Sequence, residues 1–368
     1  MSKDSVQKVL ILWADQYSSN LGVQALAEGT RCLANVIAPG AEIVFRSYGH
    51  EEDRRLRLGA RTIGSALVGA NPELRRWLAQ FDLVIDTGAG DSFADLYGIR
   101  RLAEMSALRK LISNVGVPFI MGPQTVGPFQ HWISRVLARE SVRGASAVIA
   151  RDSTSAERAS SIYEGKIALG SDVVFLLDQP EMGPSLDVVL NVSGLLWNKN
   201  PHVDWKFYRE STYRFADAVQ SQGRGLALLA HVIDSPSADN DLHAVEGLRG
   251  ELKGDVEVIW PDCLNTARSV LAGAKVVVAS RMHAALNALS TGVPAVAWAY
   301  SRKFEPLLSD LGWPHLHDLR SLDPTIVDNT LVVLDELIAG RSEVDLIREK
   351  ARNRFNRIES HLSVEGVK

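Results

Sequence analysis

Short, unbroken apolar runs recur along the chain at intervals filled by segments of helical period. Lys8–Ala14 (KVLILWA), Phe81–Asp86 (FDLVID), Ala147–Ala150 (AVIA) and Lys275–Ala279 (KVVVA) are continuous rather than alternating, as expected of strands buried on both faces. Between such runs, Val23–Asn35, Trp132–Gly144 and Phe207–Gln222 carry apolar residues at helical spacing. Strands alternating with helices predict parallel sheets joined by right-handed crossovers, hence an α/β protein. Pro180, Gly183 and Pro184 interrupt the rhythm and mark Leu177–Pro184 as a linker. The expected division is an N-terminal domain over 1–180, a C-terminal domain over 185–340 and a terminal helix over 341–368.

One stretch is organised more tightly than the rest. Lys275–Ala279 runs into Ser280-Arg281-Met282-His283, and Pro294–Tyr300 runs into Ser301-Arg302-Lys303, each time at the start of a predicted helix. In a parallel sheet both turns lie at the carboxyl ends of the strands, where α/β proteins bind ligands. One histidine and two cations, Arg281 and Lys303, on that edge suit an anionic substrate.

Other strand ends carry candidates of the same kind. Asn20 and Gly22 form either an anion-binding nest at a helix start or a plain loop. Gly88 and Gly90 allow close backbone approach to a ligand, and Asp91 and Asp95 either orient acceptor hydroxyls or cap the next helix. Gln124 sits in a turn stiffened by Pro123 and Pro128. Arg151 ends a core strand, ahead of a capping set in which Asp152 or Ser153 is the N-cap. His231 ends another, followed by Asp234, Asp239 and Asp241, and is read as an acceptor contact or a loop residue. Trp197 is a candidate for stacking on a sugar. The arginines from Arg54 to Arg76 read as a solvated face, with lipid or acceptor contact as the alternative.

Composition narrows the choices. The 368 residues suffice for two domains with full cores, and a net charge of −4 gives no global reason to expect nucleic acid as a partner. Two cysteines far apart, with no zinc-type spacing, argue against a disulfide framework or a catalytic metal and point to the cytoplasm. No apolar run approaches a membrane span, and the first run lacks a signal-peptide cleavage pattern, leaving peripheral membrane contact as the expected limit. Neither a GxGxxG fingerprint nor a GxxxxGK[ST] loop is present, which removes the strongest markers of NAD chemistry and nucleotide hydrolysis.

Taken in order, Asn20–Leu26 (N-x-G-x-x-A-L), Asp82–Gly98, Gly122–Phe129 (GPQTVGPF), Ala150–Ser155 (ARDSTS), Leu169–Leu177, Ala230–Leu242 and Ser280–Lys303 (SRMH…Y-x-x-K) resemble the polysaccharide pyruvyltransferases. Ala89 stands where that family often has glycine, Ala230 where proline is common and Met282 where leucine is frequent; none of these departures removes a charge. The resemblance implies two Rossmann-like domains facing a cleft, similar to the GT-B glycosyltransferases. It implies transfer of pyruvate from phosphoenolpyruvate to saccharide hydroxyls as a ketal, with no cofactor. Arg151, Arg281 and Lys303 match positions that bind phosphoenolpyruvate, and His283 matches the acid/base position. The acceptor would be a glycolipid or polysaccharide precursor, in one version lipid-linked at the inner membrane face.

Two other readings stand beside this one. A GT-B glycosyltransferase using a nucleotide sugar would share the fold and a basic site, with Glu305 as the residue near the ribose. A non-catalytic module binding anionic sugars would keep the domains but give His283 no proton to move.

Overall fold

The computed structural model describes residues 6–48, 53–233, 235 and 239–365. In chain order the first half runs β1 (Lys8–Leu12), α1 (Leu21–Ile37), β2 (Glu42–Arg46), α2 (Ala60–Leu67), α3 (Pro72–Leu78), β3 (Leu83–Asp86), α4 (Ile99–Asn114), β4 (Phe119–Gln124), α5 (Trp132–Gly144), β5 (Ala147–Ala150), α6 (Ser153–Ser160) and β6 (Ile167–Leu169). The second half runs β7 (Leu186–Asn191), α7 (Gly194–Trp197), α8 (Trp205–Ser221), β8 (Leu226–Leu229), α9 (Leu242–Glu251), β9 (Glu257–Ile259), α10 (Leu264–Gly273) and β10 (Ala274–Ala279). It ends with α11 (Met282–Ser290), β11 (Ala295–Ala299), α12 (Phe304–Leu311), β12 (Leu316–Asp318), α13 (Ile326–Ala339) and α14 (Arg341–Glu365).

The strands form two six-stranded sheets, ordered β2-β1-β3-β4-β5-β6 and β12-β11-β10-β7-β8-β9. Pairing is parallel throughout; Val277 and Val278 of β10, for example, lie beside Val189 and Leu190 of β7. Helices on both faces explain why the central strands read as unbroken apolar runs: every residue of β3, β4 and β11 is buried. In each sheet the strand order reverses beside the first strand, between β1 and β3 and between β7 and β10. Such switch points open a crevice at the carboxyl edge.

Two compact units result. One holds Leu26–Leu176 with the described parts of Met1–Gln16 and Ala351–Lys368; the other holds Tyr17–Ala25 and Leu177–Lys350. The segment Tyr17–Ala25 joins the second unit through backbone contacts: Asn20 bridges Val232, Leu21 N–H donates to the His231 carbonyl, and Ile233 N–H donates to the Ser19 carbonyl. Helix α4 and strand β12 are not anticipated by the sequence reading. Asp152 is the N-cap of α6, its side chain accepting from Ser155 N–H at 2.7 Å.

Candidate active site

The switch point of the second sheet is built around Arg281. It is the N-cap residue of α11, directly after β10, and its N–H donates to Oδ1 of Asn191 at the end of β7 (2.9 Å). The buried guanidinium turns to two carboxylates. Nε and Nη2 donate to Asp241 Oδ1 at 3.2 and 2.5 Å, Nη1 to Asp239 Oδ1 at 2.7 Å, and Nη2 also to the Asp239 carbonyl at 2.6 Å. Among the described residues these contacts use four of the five N–H donors of the group, leaving one on Nη1. Burial works against the charge, but Asp241 and Asp239 more than offset it and raise the Arg281 pKa.

Asp241 is the hub of this edge. Its Oδ2 accepts from the N–H groups of His231 and Val232, both at 2.9 Å, and its Oδ1 also accepts from Gly194 N–H at 2.7 Å. A fully buried carboxylate with this many donors ties together the ends of β7, β8 and β10. Tyr208 braces the same edge, accepting from Ser193 N–H and donating to Ser280 Oγ.

His231 is buried behind the edge and held neutral. Burial, with further contributions from His283 and Arg281, lowers its pKa to about 3. Asn287 fixes its tautomer. Asn287 Oδ1 must face the donor Arg268 Nη1 at 3.0 Å, so its Nδ2 faces His231 Nε2 at 3.4 Å. Nε2 then accepts, and the ring proton sits on Nδ1.

His283, in the first turn of α11, is half-buried and lies against Gly22. A β-carbon at position 22 would fall 2.8 Å from its Nδ1. Asn20 shapes this approach by accepting from Gly22 N–H through Oδ1 at 2.9 Å, so that N–H serves the loop itself. The next parallel strand, β11, is followed directly by Tyr300, and Lys303 is the N-cap residue of α12. Exposed His202 joins this group. Its ring lies 5.5 Å from that of Tyr300, and its pKa is lowered by burial and by Lys303 while Asp239 opposes the shift.

In the first unit the carboxyl edge carries a left-handed turn. Gly88, Ala89 and Gly90 have φ of 56°, 48° and 79°. The turn is closed by Gly90 N–H to the Thr87 carbonyl and Ser92 N–H to the Gly88 carbonyl. Gln124 packs beneath Gly88 and donates through Nε2 to the Asp86 carbonyl at 3.0 Å. Arg151 is 2% exposed, and its Nε and Nη2 have no hydrogen-bond partner among the described residues. Its charge is balanced by Asp172 at 3.6 Å and Asp152 at 3.8 Å, too far for hydrogen bonds. Gly90 lies beside it, a β-carbon there standing 4.0 Å from Nη1.

The two aspartates of this loop differ. Asp95 Oδ2 accepts from the N–H groups of Gln130 (2.6 Å) and His131 (3.1 Å), so it caps the approach to α5. Asp91 accepts from the Tyr97 hydroxyl at 2.8 Å.

The second unit thus gathers Asn20, His231, Arg281, His283 and Lys303 on one edge, and the first gathers Gly88, Gly90, Asp91, Gln124 and Arg151 on another. Asp241, Asn191, Tyr208 and His202 were not singled out as site residues from the sequence. Asp241 lies 40 residues from the arginine it holds, and no local spacing signals that pairing. Trp197 is a correction. It is 6% exposed, packed against Tyr208 and under the Arg209 guanidinium, and cannot stack on a sugar. Asp234 lies outside the described residues. Among the described residues no group of three or more His, Cys, Asp or Glu is placed to hold a metal ion, and no helix is long and apolar enough to cross a membrane.

Comparison with solved structures finds this fold in an epimerase and in a glycotransferase. The chain is similar to a putative UDP-N-acetylglucosamine 2-epimerase from Listeria monocytogenes (TM-score 0.59, 12% identity, 98% of each chain covered). It is also similar to the glycotransferase of kitacinnamycin (TM-score 0.52, 16% identity, 98% of each chain covered). At these identities the likeness is one of GT-B-type fold alone. In sequence, the amylovoran biosynthesis protein AmsJ of Erwinia amylovora is 27% identical over 304 residues, which cover 76% of this chain and 72% of that protein. The pattern of one family, polysaccharide pyruvyl transferase, matches residues 20–302, well over half of the 368. The chain belongs to the polysaccharide pyruvyl transferase family.

Proposed function

We propose that the chain transfers pyruvate from phosphoenolpyruvate to two hydroxyls of a saccharide, forming a cyclic ketal and releasing phosphate. Family membership supports a pyruvyltransferase role in polysaccharide biosynthesis. The observation that carries the finer reading is the edge formed by β10 and β11. These parallel neighbours deliver His283 and Lys303 to the same side of the sheet, each at the start of a helix whose positive end favours an anion.

In this scheme His283, as imidazolium, gives its proton to C3 of the enol, and C2 becomes electrophilic. One saccharide hydroxyl bonds to C2 and returns its proton to His283. The C2–O bond to phosphate breaks, the second hydroxyl closes the ring, and its proton leaves with the phosphate. Of the two hydroxyl protons lost, one therefore offsets that placed on C3 and the other departs. Lys303 holds the phosphate as a point charge and Arg151 the carboxylate or phosphate. Arg281 has one N–H left for the substrate and otherwise positions the edge through Asp239 and Asp241. His231, neutral near neutral pH, does not compete with His283 for the proton.

The test is phosphate release from phosphoenolpyruvate with a panel of saccharide acceptors. Acceptor-dependent release is expected, and His283→Ala should slow it by roughly 10²–10⁴-fold. Turnover of UDP-sugars without any use of phosphoenolpyruvate would instead establish a glycosyltransferase. Silence in both assays would leave a binding protein.

A further inference from the structure

The switch point of the first sheet carries a feature that the chemistry above does not use. Beyond the carboxyl ends of its neighbouring strands β2, β1 and β3 stand Tyr48, Trp13 and Tyr97 respectively. A surface depression of about 260 Å³ is lined by Tyr48, Tyr97, Arg100, Arg101 and Glu104. Both tyrosines are half exposed, at 49% and 51%, so two aromatic rings are offered to solvent at one place.

Neither ring is loose. The Tyr48 hydroxyl donates to Glu104 Oε2 at 2.6 Å, and the Tyr97 hydroxyl donates to Asp91 Oδ2 at 2.8 Å. Glu104 is itself 7% exposed and takes Arg100 Nε on its other oxygen at 3.1 Å. Trp13 backs Tyr48, with ring centroids 6.0 Å apart and planes 30° from parallel. Trp13 also has φ 62°, a conformation that is an outlier for so bulky a residue. Rings fixed in this way lose little further freedom when a ligand arrives.

The chemistry of the lining selects the ligand. A pyranose ring has an apolar C–H face that packs on an aromatic ring and a rim of hydroxyls that pair with carboxylates and guanidinium groups. Tyrosines supply the first surface; Glu104 and the two arginines supply the second. Glu104 places a carboxylate among the arginines there, unlike a site built for phosphate. The volume lies below the range of about 300–1,000 Å³ that holds larger ligands such as a nucleotide sugar.

We propose that this depression is a saccharide-binding subsite taking one pyranose ring. That the ring belongs to the acceptor rests on the transferase reading above; that it binds does not. Saturation-transfer NMR with the methyl glycosides of galactose, glucose, mannose and N-acetylglucosamine tests binding directly, with no donor present. At least one glycoside should receive saturation on its ring C–H protons. Tyr48→Ala and Tyr97→Ala should each weaken its binding at least about tenfold, whereas Tyr97→Phe, which keeps the ring, should weaken it less. Thermal melting of each variant checks folding, because Tyr48 also serves the buried Glu104 carboxylate. In the transfer assay the same alanine variants should raise KM for the saccharide and leave KM for phosphoenolpyruvate unchanged. No binding of any glycoside, binding indifferent to both tyrosines, or displacement of the glycoside by UMP as the tighter ligand each overturns the subsite. Absence of phosphate release while tyrosine-dependent glycoside binding persists would overturn the transferase reading alone.

Discussion

Gly22 lies so close to His283 that a β-carbon at position 22 would stand 2.8 Å from Nδ1 of the imidazole and 3.1 Å from its Cβ. Something must move to admit even one methyl group. The loop cannot yield without effect, because Asn20 Oδ1 holds the Gly22 N–H and the backbone just before it, Ser19–Leu21, pairs with residues 231–233. Glycine here is a steric requirement for the placement of the histidine.

Gly22→Ala should therefore lower kcat by roughly 10–100-fold through a displaced His283. Stability should change little, since alanine favours the helix by up to about 1 kcal/mol and offsets the crowding. Steady-state kinetics beside a thermal melt reads both. Wild-type kcat in a stably folded variant would show that the imidazole position does not limit the reaction.

The left-handed turn at 88–90 makes opposite demands on neighbouring residues. At Gly88 a β-carbon would fall 1.8 Å from Gln124 Oε1, and φ is 56°. Gly88→Ala should cost about 2–4 kcal/mol, from left-handed strain and from displacing the Gln124 hydrogen bonds. Ala89 already bears the left-handed strain, at φ 48°, while its methyl packs on the core. Ala89→Gly relieves about 1–2 kcal/mol of strain but forfeits a similar total in methyl burial and chain entropy, so it should be neutral within about 0.5 kcal/mol. Urea unfolding of the pair decides; equal effects would refute the steric account.

How much of this was legible in the sequence follows from the physics of each element. Runs such as VVVA in β10 announce themselves because both faces are buried, and the two-sheet α/β fold follows from them. Helix α4 does not, because Glu104, Ser106 and Arg109 lie among its buried residues and blur its apolar face. Arg109 is buried because Asp86 takes its Nε at 2.7 Å and Phe93 packs under the guanidinium, partners invisible from α4 alone. Strand β12 is three residues, LHD, with no apolar run to read. At the site, His283 and Lys303 could be located because each lies four residues past the end of an apolar strand. The hold of Asp241 on Arg281, the backbone bridge from Asn20 to Val232 and the pairing of Tyr48 with Glu104 are all long-range, and only the fold brings those residues together.

His231 makes stability depend on pH. Its folded pKa is about 3 against an ordinary 6.5, so between those values the unfolded chain binds a proton that the folded chain does not. Stability is then full above pH 6.5 and falls as the pH drops below it, by about 1.4 kcal/mol per pH unit for this one group. His202, His315 and His317 are lowered as well and act in the same direction. Replacing His231 with glutamine should flatten the decline between pH 6.5 and 5, as read from urea midpoints. An unchanged slope would mean that His231 is protonated in the fold.

Arg281 and Asp241 should behave as a unit rather than as a substrate ligand and a bystander. Both are buried, at 7% and 0% exposure, and each supplies the other's main counter-charge. Arg281→Met leaves Asp241 with an uncompensated charge, and Asp241→Asn turns an amide donor toward groups that are themselves donors. Each single change should cost about 3–5 kcal/mol in unfolding experiments. The double variant should be less damaged than the sum of the two by about 1–3 kcal/mol, because the second substitution removes a charge already stranded by the first. If Arg281 served only to bind phosphoenolpyruvate, Arg281→Met would raise KM for that substrate and leave stability untouched. An additive cycle would likewise remove Asp241 as its anchor, whereas a coupled one makes the arginine's first task the joining of β7, β8 and β10 at the edge where His283 works.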